Sequence, residues 1–95
     1  MKTIYKYHLD ITDVQKVVLP VNAQILCIKT QYDEPCLWAL IDTDQQETEE
    51  VLIRCAGTGH PLNTALDYNL EYIDTILICK DTLVFHFFQV LPLVE

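Results

Sequence analysis

The residues best suited to chemistry stand together in the segment Arg54–Pro61, which reads RCAGTGHP. This segment holds both glycines of the chain, and glycine is used where the backbone takes a positive φ or approaches another group closely. Backbone N–H groups around Gly57 and Gly59 could form a concave anion site, because glycine admits the left-handed conformations that turn successive amides inward. Thr58 and His60 would add side-chain donors. The segment therefore predicts a phosphate or nucleotide site, and the alternative is a tight turn in which His60 bonds a backbone carbonyl.

Two residues outside the turn could complete this site. Arg54 could supply a fixed positive charge, and Trp38 a surface on which a nucleotide base stacks. Trp38 is also expected on a more polar strand face beside a lysine, either as a cation–π pair or as an interface anchor. The glycine spacing is not that of a P-loop or a dinucleotide fingerprint. The predicted ligand-binding residues are Arg54, Gly57, Thr58, Gly59, His60 and Trp38.

Catalytic and metal chemistry find less support in the sequence. Cys55 near His60 suggests a cysteine–histidine nucleophile pair, but Cys55 falls within a predicted strand and no third residue is evident to orient the imidazole. A metal site built from His8, His60 and His86 would require three distant strands to converge. We therefore predict no catalytic residue, no metal ligand and no cofactor.

The net charge of the chain favours some classes of binding partner over others. Fourteen acidic residues face six basic ones, for a net charge of −8, which disfavours nucleic acid because affinity for phosphate backbones comes from Lys and Arg. This charge suits a basic protein partner or mimicry of nucleic acid, or it serves solubility alone. The chain is also 51% hydrophobic with a mean hydropathy of +0.17. Apolar surface that a small core cannot cover favours a homo-oligomer.

Five carboxylates and two glutamines gather in the segment Asp42–Glu50. A solvated loop and a bait for a basic partner are both compatible with this composition. A calcium loop is not, because it needs a glycine turn among its acidic ligands.

Cysteine spacing and hydropathy indicate the compartment. Cys27, Cys36, Cys55 and Cys79 form no closely spaced pair, which favours reduced thiols over a zinc site. The start of the chain lacks the apolar run of a signal peptide, and no stretch approaches the roughly 18 apolar residues of a membrane span. The cytoplasm is the expected compartment, with no membrane partner.

The hydrophobic pattern predicts strands throughout and one domain over residues 1–95. Alternation over Thr3–Ile11 and a β-branched run over Gln15–Leu19, stopped by Pro20, indicate a hairpin with an edge strand. Asn63–Glu71 is expected as a loop that could hold one turn of helix. The later strands cover Ala23–Gln31, Cys36–Asp42, Val51–Ala56, Tyr72–Cys79 and Thr82–Leu91. Seven short strands with regular turns predict an antiparallel β-sandwich or a small barrel.

Two hairpins can be given a register. A turn at Asp33-Glu34 places three residues of one strand opposite three of the next, and together they would form a buried face. Those pairs are Thr30 with Leu37, Ile28 with Ala39, and Leu26 with Ile41. A turn at Lys80-Asp81 places Ile76 and Ile78 opposite Phe85 and Leu83.

The last strands are apolar on both faces. Leu77, Val84, His86 and Phe88 line the second face of the final hairpin, which places it centrally in the sandwich or at a subunit contact. The apolar tail Val90–Val94 could exchange with a neighbouring subunit.

Three pieces of the sequence together carry a resemblance to a known family. They are the opening KTIYKY (Lys2–Tyr7), the strand PCLWAL (Pro35–Leu40), and GTGHP (Gly57–Pro61) followed by LVFH (Leu83–His86). The combination resembles a family of small bacteriophage-encoded proteins described only as a domain of unknown function, over nearly the whole chain. The sequence differs from the family's usual pattern at Pro20–Ala23, where a glycine is common after the proline. The resemblance implies a phage protein in the cytoplasm of a bacterial host, where such proteins often blunt host defence.

Three functions follow as hypotheses. The one we favour is a non-enzymatic homo-oligomer that sequesters a small anionic ligand, such as a nucleotide signal, at the segment Arg54–Pro61 that holds both glycines. The second is an acidic inhibitor that docks on a basic surface of a host defence protein through residues 42–50. The third is a structural accessory of the virion built on the apolar last hairpin.

Overall fold

The chain forms seven strands and one single-turn 3₁₀-helix in the computed structural model, which describes residues 1–92. They form a three-stranded antiparallel sheet in the order β1-β4-β3 and a four-stranded one in the order β2-β5-β7-β6. The sheets stay open, so the predicted all-β fold is confirmed as a sandwich and not as a barrel. The elements are β1 (Lys2–His8), β2 (Val14–Pro20), β3 (Gln24–Gln31), β4 (Glu34–Asp42), β5 (Thr48–Gly57), the 3₁₀-helix (Ala65–Tyr68), β6 (Leu70–Ile78) and β7 (Leu83–Val90).

The core lies between the two sheets and follows the alternation of the strands. Leu37 and Ala39 of β4 are fully buried and share one cluster with Ile53 of β5 and Phe87 of β7. Since successive side chains point to opposite faces, the residues that alternate with Ile53 point outward. Arg54 is therefore placed on the outer face of the four-stranded sheet.

The predicted hairpin between the first two strands is wrong. β1 pairs with β4 and β2 pairs with β5, so the chain crosses from one sheet to the other after His8. Leu9 is buried in the core at this crossing, and the Gln15 side chain exchanges hydrogen bonds of 3.0 and 2.8 Å with the backbone of Asp10. Period-2 alternation predicts a strand but not its partner. The edge position predicted for β2 is correct.

The β3–β4 hairpin turns one residue earlier than predicted. Its central residues are Tyr32 and Asp33, with φ of 53° and 62°, and a two-residue turn with both φ positive suits the twist of a hairpin. The Asp33 carboxylate accepts the Cys79 N–H at 3.0 Å, a contact with the other hairpin that favours this turn. As a result Ile28 pairs with Leu37.

A β-bulge changes which residues of β3 are buried. The register shifts between Ile25 and Cys27, so Ile25 pairs with Ala39 and Leu26 is left 42% exposed. The predicted burial of Leu26 is therefore wrong. The predicted burial of Thr30 is also wrong, since this residue is exposed near the end of β3, outside the bulge. The bulge re-aims one side chain while the strand continues.

The β6–β7 hairpin has the predicted register. Ile76 pairs with Phe85 and Ile78 with Leu83, and β7 lies in the interior of its sheet between β5 and β6. Asn63–Glu71 holds one turn of helix, as expected. Of the predicted apolar tail Val90–Val94, the structure describes Val90 to Pro92. The remainder of the tail, on which its predicted exchange with a neighbouring subunit depends, lies outside the described part of the chain.

The turn Pro20–Ala23 has an asparagine in the left-handed conformation. The Ala23 N–H donates to Pro20 O at 3.1 Å, and Asn22 has a φ of 68°. Asparagine tolerates the left-handed region better than most residues with a side chain. The turn therefore forms without a glycine.

Candidate functional site

The segment Gly57–His60 forms a tight turn at the end of β5. The His60 N–H donates to Gly57 O at 3.1 Å, and Gly59 has a φ of +85°, as a type II turn requires at its third residue. Gly57 belongs to β5 and does not have positive φ, so the predicted pair of left-handed glycines is wrong. Of the two glycines, Gly59 alone can turn an amide in that way.

Gly57 has a different role, because the His60 ring lies directly against it. A Cβ at this position would stand 3.0 Å from both His60 Nδ1 and Cε1. A side chain at residue 57 would therefore require the His60 ring to move by a few tenths of an ångström. The glycine lets the ring pack against the end of the strand, while Thr58, Gly59 and His60 remain exposed.

Thr58 ends a chain of side-chain hydrogen bonds that crosses the outer face of the sheet. Its Oγ1 lies 2.7 Å from His86 Nε2, and His86 Nδ1 lies 3.0 Å from Thr75 Oγ1. Thr75 Oγ1 lies in turn 2.7 Å from the Tyr72 hydroxyl. The chain joins the end of β5 to β7 and β6, and fixes the direction of the Thr58 hydroxyl.

A shallow depression of about 310 Å³ lies beside the turn. The Gly57–Phe85 strand pair brings the start of β7 to the end of β5. Threonine hydroxyls, an imidazole and apolar side chains meet in the depression, and its lining is Gly57, Thr58, His60, Thr82, Leu83, Val84 and Phe85. Sequence reasoning missed the β7 residues as site residues, because their proximity depends on strand pairing.

Arg54 does not contribute to this depression, and the prediction that it supplies free positive charge is wrong. The residue is only 6% exposed, and its Nε donates to Asp67 Oδ1 at 2.7 Å. Its Nη1 donates to Cys55 O at 2.8 Å and to Asp13 O at 3.2 Å. The connection from β5 to β6 places Asp67 against the guanidinium, so the charge of Arg54 is not available to a ligand.

The Arg54–Asp67 ion pair holds the β5–β6 connection against β5. The Asp67 side chain is 1% exposed, and its second oxygen accepts the Thr64 N–H at 2.9 Å and the Thr64 hydroxyl at 3.0 Å. The hydrogen bond from Arg54, together with those from Thr64, lowers the pKa of Asp67 to about 2, against the effect of its burial. The carboxylate therefore stays ionised throughout the physiological range.

This pKa predicts how stability depends on pH. Because the folded pKa of Asp67 lies below its unfolded value of 3.8, the carboxylate stabilises the fold above the unfolded pKa, and this stability is lost as pH falls through the folded pKa. We expect the wild-type advantage over Asp67→Asn in urea unfolding to shrink by about 2 kcal/mol between pH 5 and pH 2. Measuring this difference cancels the contribution of Asp42, whose pKa is also lowered, first by the Asp44 N–H. A difference that stays constant with pH would contradict the assignment.

Trp38 lies on the other sheet, so the structure does not bring it to the turn. It belongs to β4, where it pairs with Lys6 of β1 and Cys27 of β3. It alternates with the core residues Leu37 and Ala39 and so points to the outer face of the three-stranded sheet. A base bound at the turn would contact other apolar side chains, and those in reach are Leu83, Val84 and Phe85.

The cysteine–histidine pairing considered from the sequence does not supply an activated thiolate. Cys55 is 3% exposed, and burial raises its pKa to about 11, so its sulfur remains a thiol at neutral pH. A thiol–imidazole contact does occur between Cys36 Sγ and His8 Nδ1, at 3.8 Å. Cys36 is fully buried, which keeps its sulfur away from any substrate.

Metal-ligand clusters and membrane-spanning helices are absent from the described residues 1–92. In that range, no three His, Cys, Asp or Glu side chains gather as ligands of a metal ion would. Over the same residues, no helix is long and apolar enough to cross a membrane.

The fold and its surface define a small, open-sheeted antiparallel β-sandwich with a depression beside a glycine turn. Residues 1–93 match the family described as a domain of unknown function, DUF7352, and the chain belongs to this family. The sequence motifs predicted an uncharacterised domain family, and this is confirmed. No match was found among curated proteins or among solved structures.

Proposed function

We propose that this chain is a non-enzymatic binding protein that sequesters a small anionic ligand, such as a nucleotide, at the turn Gly57–His60. The observation that carries the proposal is a convergence. The segments GTGHP and LVFH, which are far apart in the sequence, meet through the 2.7 Å contact of Thr58 with His86 and line one depression. An exposed turn beside an open depression is a surface that a small ligand can reach.

The donors of this site include no fixed positive charge. With Arg54 held by Asp67, the groups in reach of an anion are the Thr58 and Gly59 amides, the Thr58 hydroxyl and the His60 imidazole. Preorganised amides and hydroxyls bind an anion without a fixed positive charge. Because no lysine or arginine lines the depression, binding should depend less on salt than at a site of exposed charges.

The wider part of the proposal concerns setting and assembly. The motif resemblance supports a phage protein that acts in the bacterial cytoplasm by removing a host defence signal. A homo-oligomer is supported by apolar side chains left on the surface, among them Ile4 and Val18, each 55% exposed. Exposed apolar side chains lower the solubility of a small monomer, and a subunit interface would remove them from water.

Native mass spectrometry of the protein purified from infected bacteria tests this proposal. We expect a multimer that retains a small molecule, and we expect Thr58→Ala combined with His60→Ala to lower the retained fraction by about tenfold or more, since each 1.4 kcal/mol of lost binding is tenfold. Thr30→Ala is the matched control, because Thr30 is exposed on the other sheet. Ligand-free wild type, or equal retention by the double variant, would refute the proposal; recovery of the protein in purified particles would favour a virion role.

A further inference from the structure

A second surface lies at the opposite end of the four-stranded sheet from the glycine turn. It is a groove of about 460 Å³ between the start of β5 and the end of β7. Its apolar lining includes Leu52, Leu66, Val90 and Pro92, and its acidic lining is Glu49 and Glu50. Both glutamates are exposed, and Leu66 is 39% exposed.

The groove exists because two strand ladders end at different places. The β5–β7 ladder ends at the pair Leu52–Val90, whereas the β2–β5 ladder continues to Thr48. The β6–β7 pairing runs one residue beyond Val90, since the Leu91 N–H donates to Asn69 O at 2.9 Å. Residues 48–51 of β5 therefore extend past the last β7 pair.

Pro92 makes this arrangement stable. Proline has no N–H to add to a ladder, and its carbonyl accepts from Asn69 Nδ2 at 3.3 Å. The chain's own strand is thus stopped and tied away from β5. In an antiparallel sheet alternate residues direct N–H and C=O to each side, so Thr48–Val51 offers backbone groups on the groove side.

The charge of the groove selects the occupant. Glu49 and Glu50 add to a net charge of −8, and the one ion pair Glu50 makes among the described residues is with Lys16, at 3.4 Å, with both side chains more than 60% exposed. Such exposed pairs contribute little, so Glu50 can exchange this partner at small cost. A basic ligand is favoured and an acidic one is opposed.

We propose that this groove binds an extended basic segment of a partner protein, which adds to β5 as a strand along Thr48–Val51. Its lysine or arginine side chains would reach Glu49 and Glu50, and its apolar side chains would pack on Leu52 and Leu66. Strand addition obtains affinity from main-chain hydrogen bonds and specificity from alternate side chains. The surface is separate from the small-ligand site, and it gives the acidic-inhibitor hypothesis a definite contact.

Fluorescence anisotropy tests the groove with a labelled peptide in which pairs of lysines alternate with pairs of valines. Because successive strand residues point to opposite faces, this peptide presents both kinds of side chain on both faces. We expect binding that weakens by about tenfold or more in the double variant Glu49→Lys/Glu50→Lys. The matched control is Asp10→Lys/Glu34→Lys, which makes the same change in net charge at exposed residues that line a different depression. We also expect backbone amide shifts in NMR spectra to map to residues 48–52 and 89–91.

Each alternative outcome has a distinct signature. Equal losses in the two double variants would mean attraction by net charge, and equal binding of a peptide with proline in place of valine would exclude strand pairing. If the NMR amide signals of residues 48–52 shift with protein concentration in the absence of peptide, the occupant of the groove is a second copy of the chain. If deletion of residues 93–95 strengthens peptide binding, the chain's own end competes with the peptide for the groove. The first three outcomes overturn the proposal, while the fourth supports the groove as a strand-binding surface. Thr58→Ala should leave peptide binding unchanged, so this test fails or succeeds independently of the ligand site.

Discussion

Replacing Arg54 with methionine is expected to lower the free energy of unfolding by about 3–5 kcal/mol. The substitution keeps a long side chain beneath the β5–β6 connection but removes the guanidinium donors to Asp67 and leaves only those of Thr64. The Asp67 carboxylate, 1% exposed, would then be buried without its cation, and its desolvation would no longer be compensated. Urea unfolding followed by circular dichroism measures the change as a shift of the midpoint.

Two companion variants separate this explanation from a general loss of charge. Lys16→Met removes one partner of an exposed ion pair and should cost less than about 1 kcal/mol. Arg54→Met combined with Asp67→Leu removes both buried charges and should recover much of the lost stability, because an apolar pair can replace a buried ion pair at little net cost. If the double variant is as unstable as Arg54→Met alone, the lost stability does not come from an unpaired buried charge.

Arg54 also shows where reasoning from the sequence reaches its limit. Its position beside two glycines is typical of an anion site, and nothing local indicates that the charge is already used. The partner, Asp67, stands thirteen residues further along, in a segment predicted as a loop that could hold one turn of helix. Burial of the guanidinium depends on the path of that connection over the sheet, which is a tertiary property.

The hairpins show the same division between local and tertiary causes. The β6–β7 register follows from alternation and a turn at Lys80-Asp81, both of which can be read from nearby residues. The β3–β4 hairpin differs because Asp33 bonds the backbone of Cys79 in another hairpin and because of the bulge at Leu26. Neither feature has a signal in the neighbouring sequence.

The candidate site was predicted in part for a comparable reason. Composition alone points to the turn, since both glycines fall within it, and Thr58, Gly59 and His60 are exposed there. The neighbouring wall comes from Phe85 and Leu83 through pairing of β5 with β7. A reader of the sequence can name the turn but not the strand that completes it.

Phe87→Ala is expected to destabilise the fold by about 3–5 kcal/mol. Phe87 is the largest fully buried side chain among the described residues and lies in the core cluster between the sheets. Its removal leaves a cavity lined by residues of β4 and β5, which the rigid strands can fill only in part. For a domain of this size, with a typical total stability of about 5–15 kcal/mol, thermal and urea unfolding should both show a large shift.

Phe88→Ala provides the matched control, because the adjacent residue has the same side chain on the opposite face of β7. Phe88 is half-buried and meets Tyr72 edge to face with ring centroids 5.8 Å apart, so its loss should cost about 1–2 kcal/mol. If the core lies on the Phe87 face alone, Phe87→Ala should lower the free energy of unfolding by more than Phe88→Ala. Equal losses would mean that the Phe88 face is covered too, as it would be by a second copy of the chain, and the loss in Phe88→Ala would then grow with protein concentration.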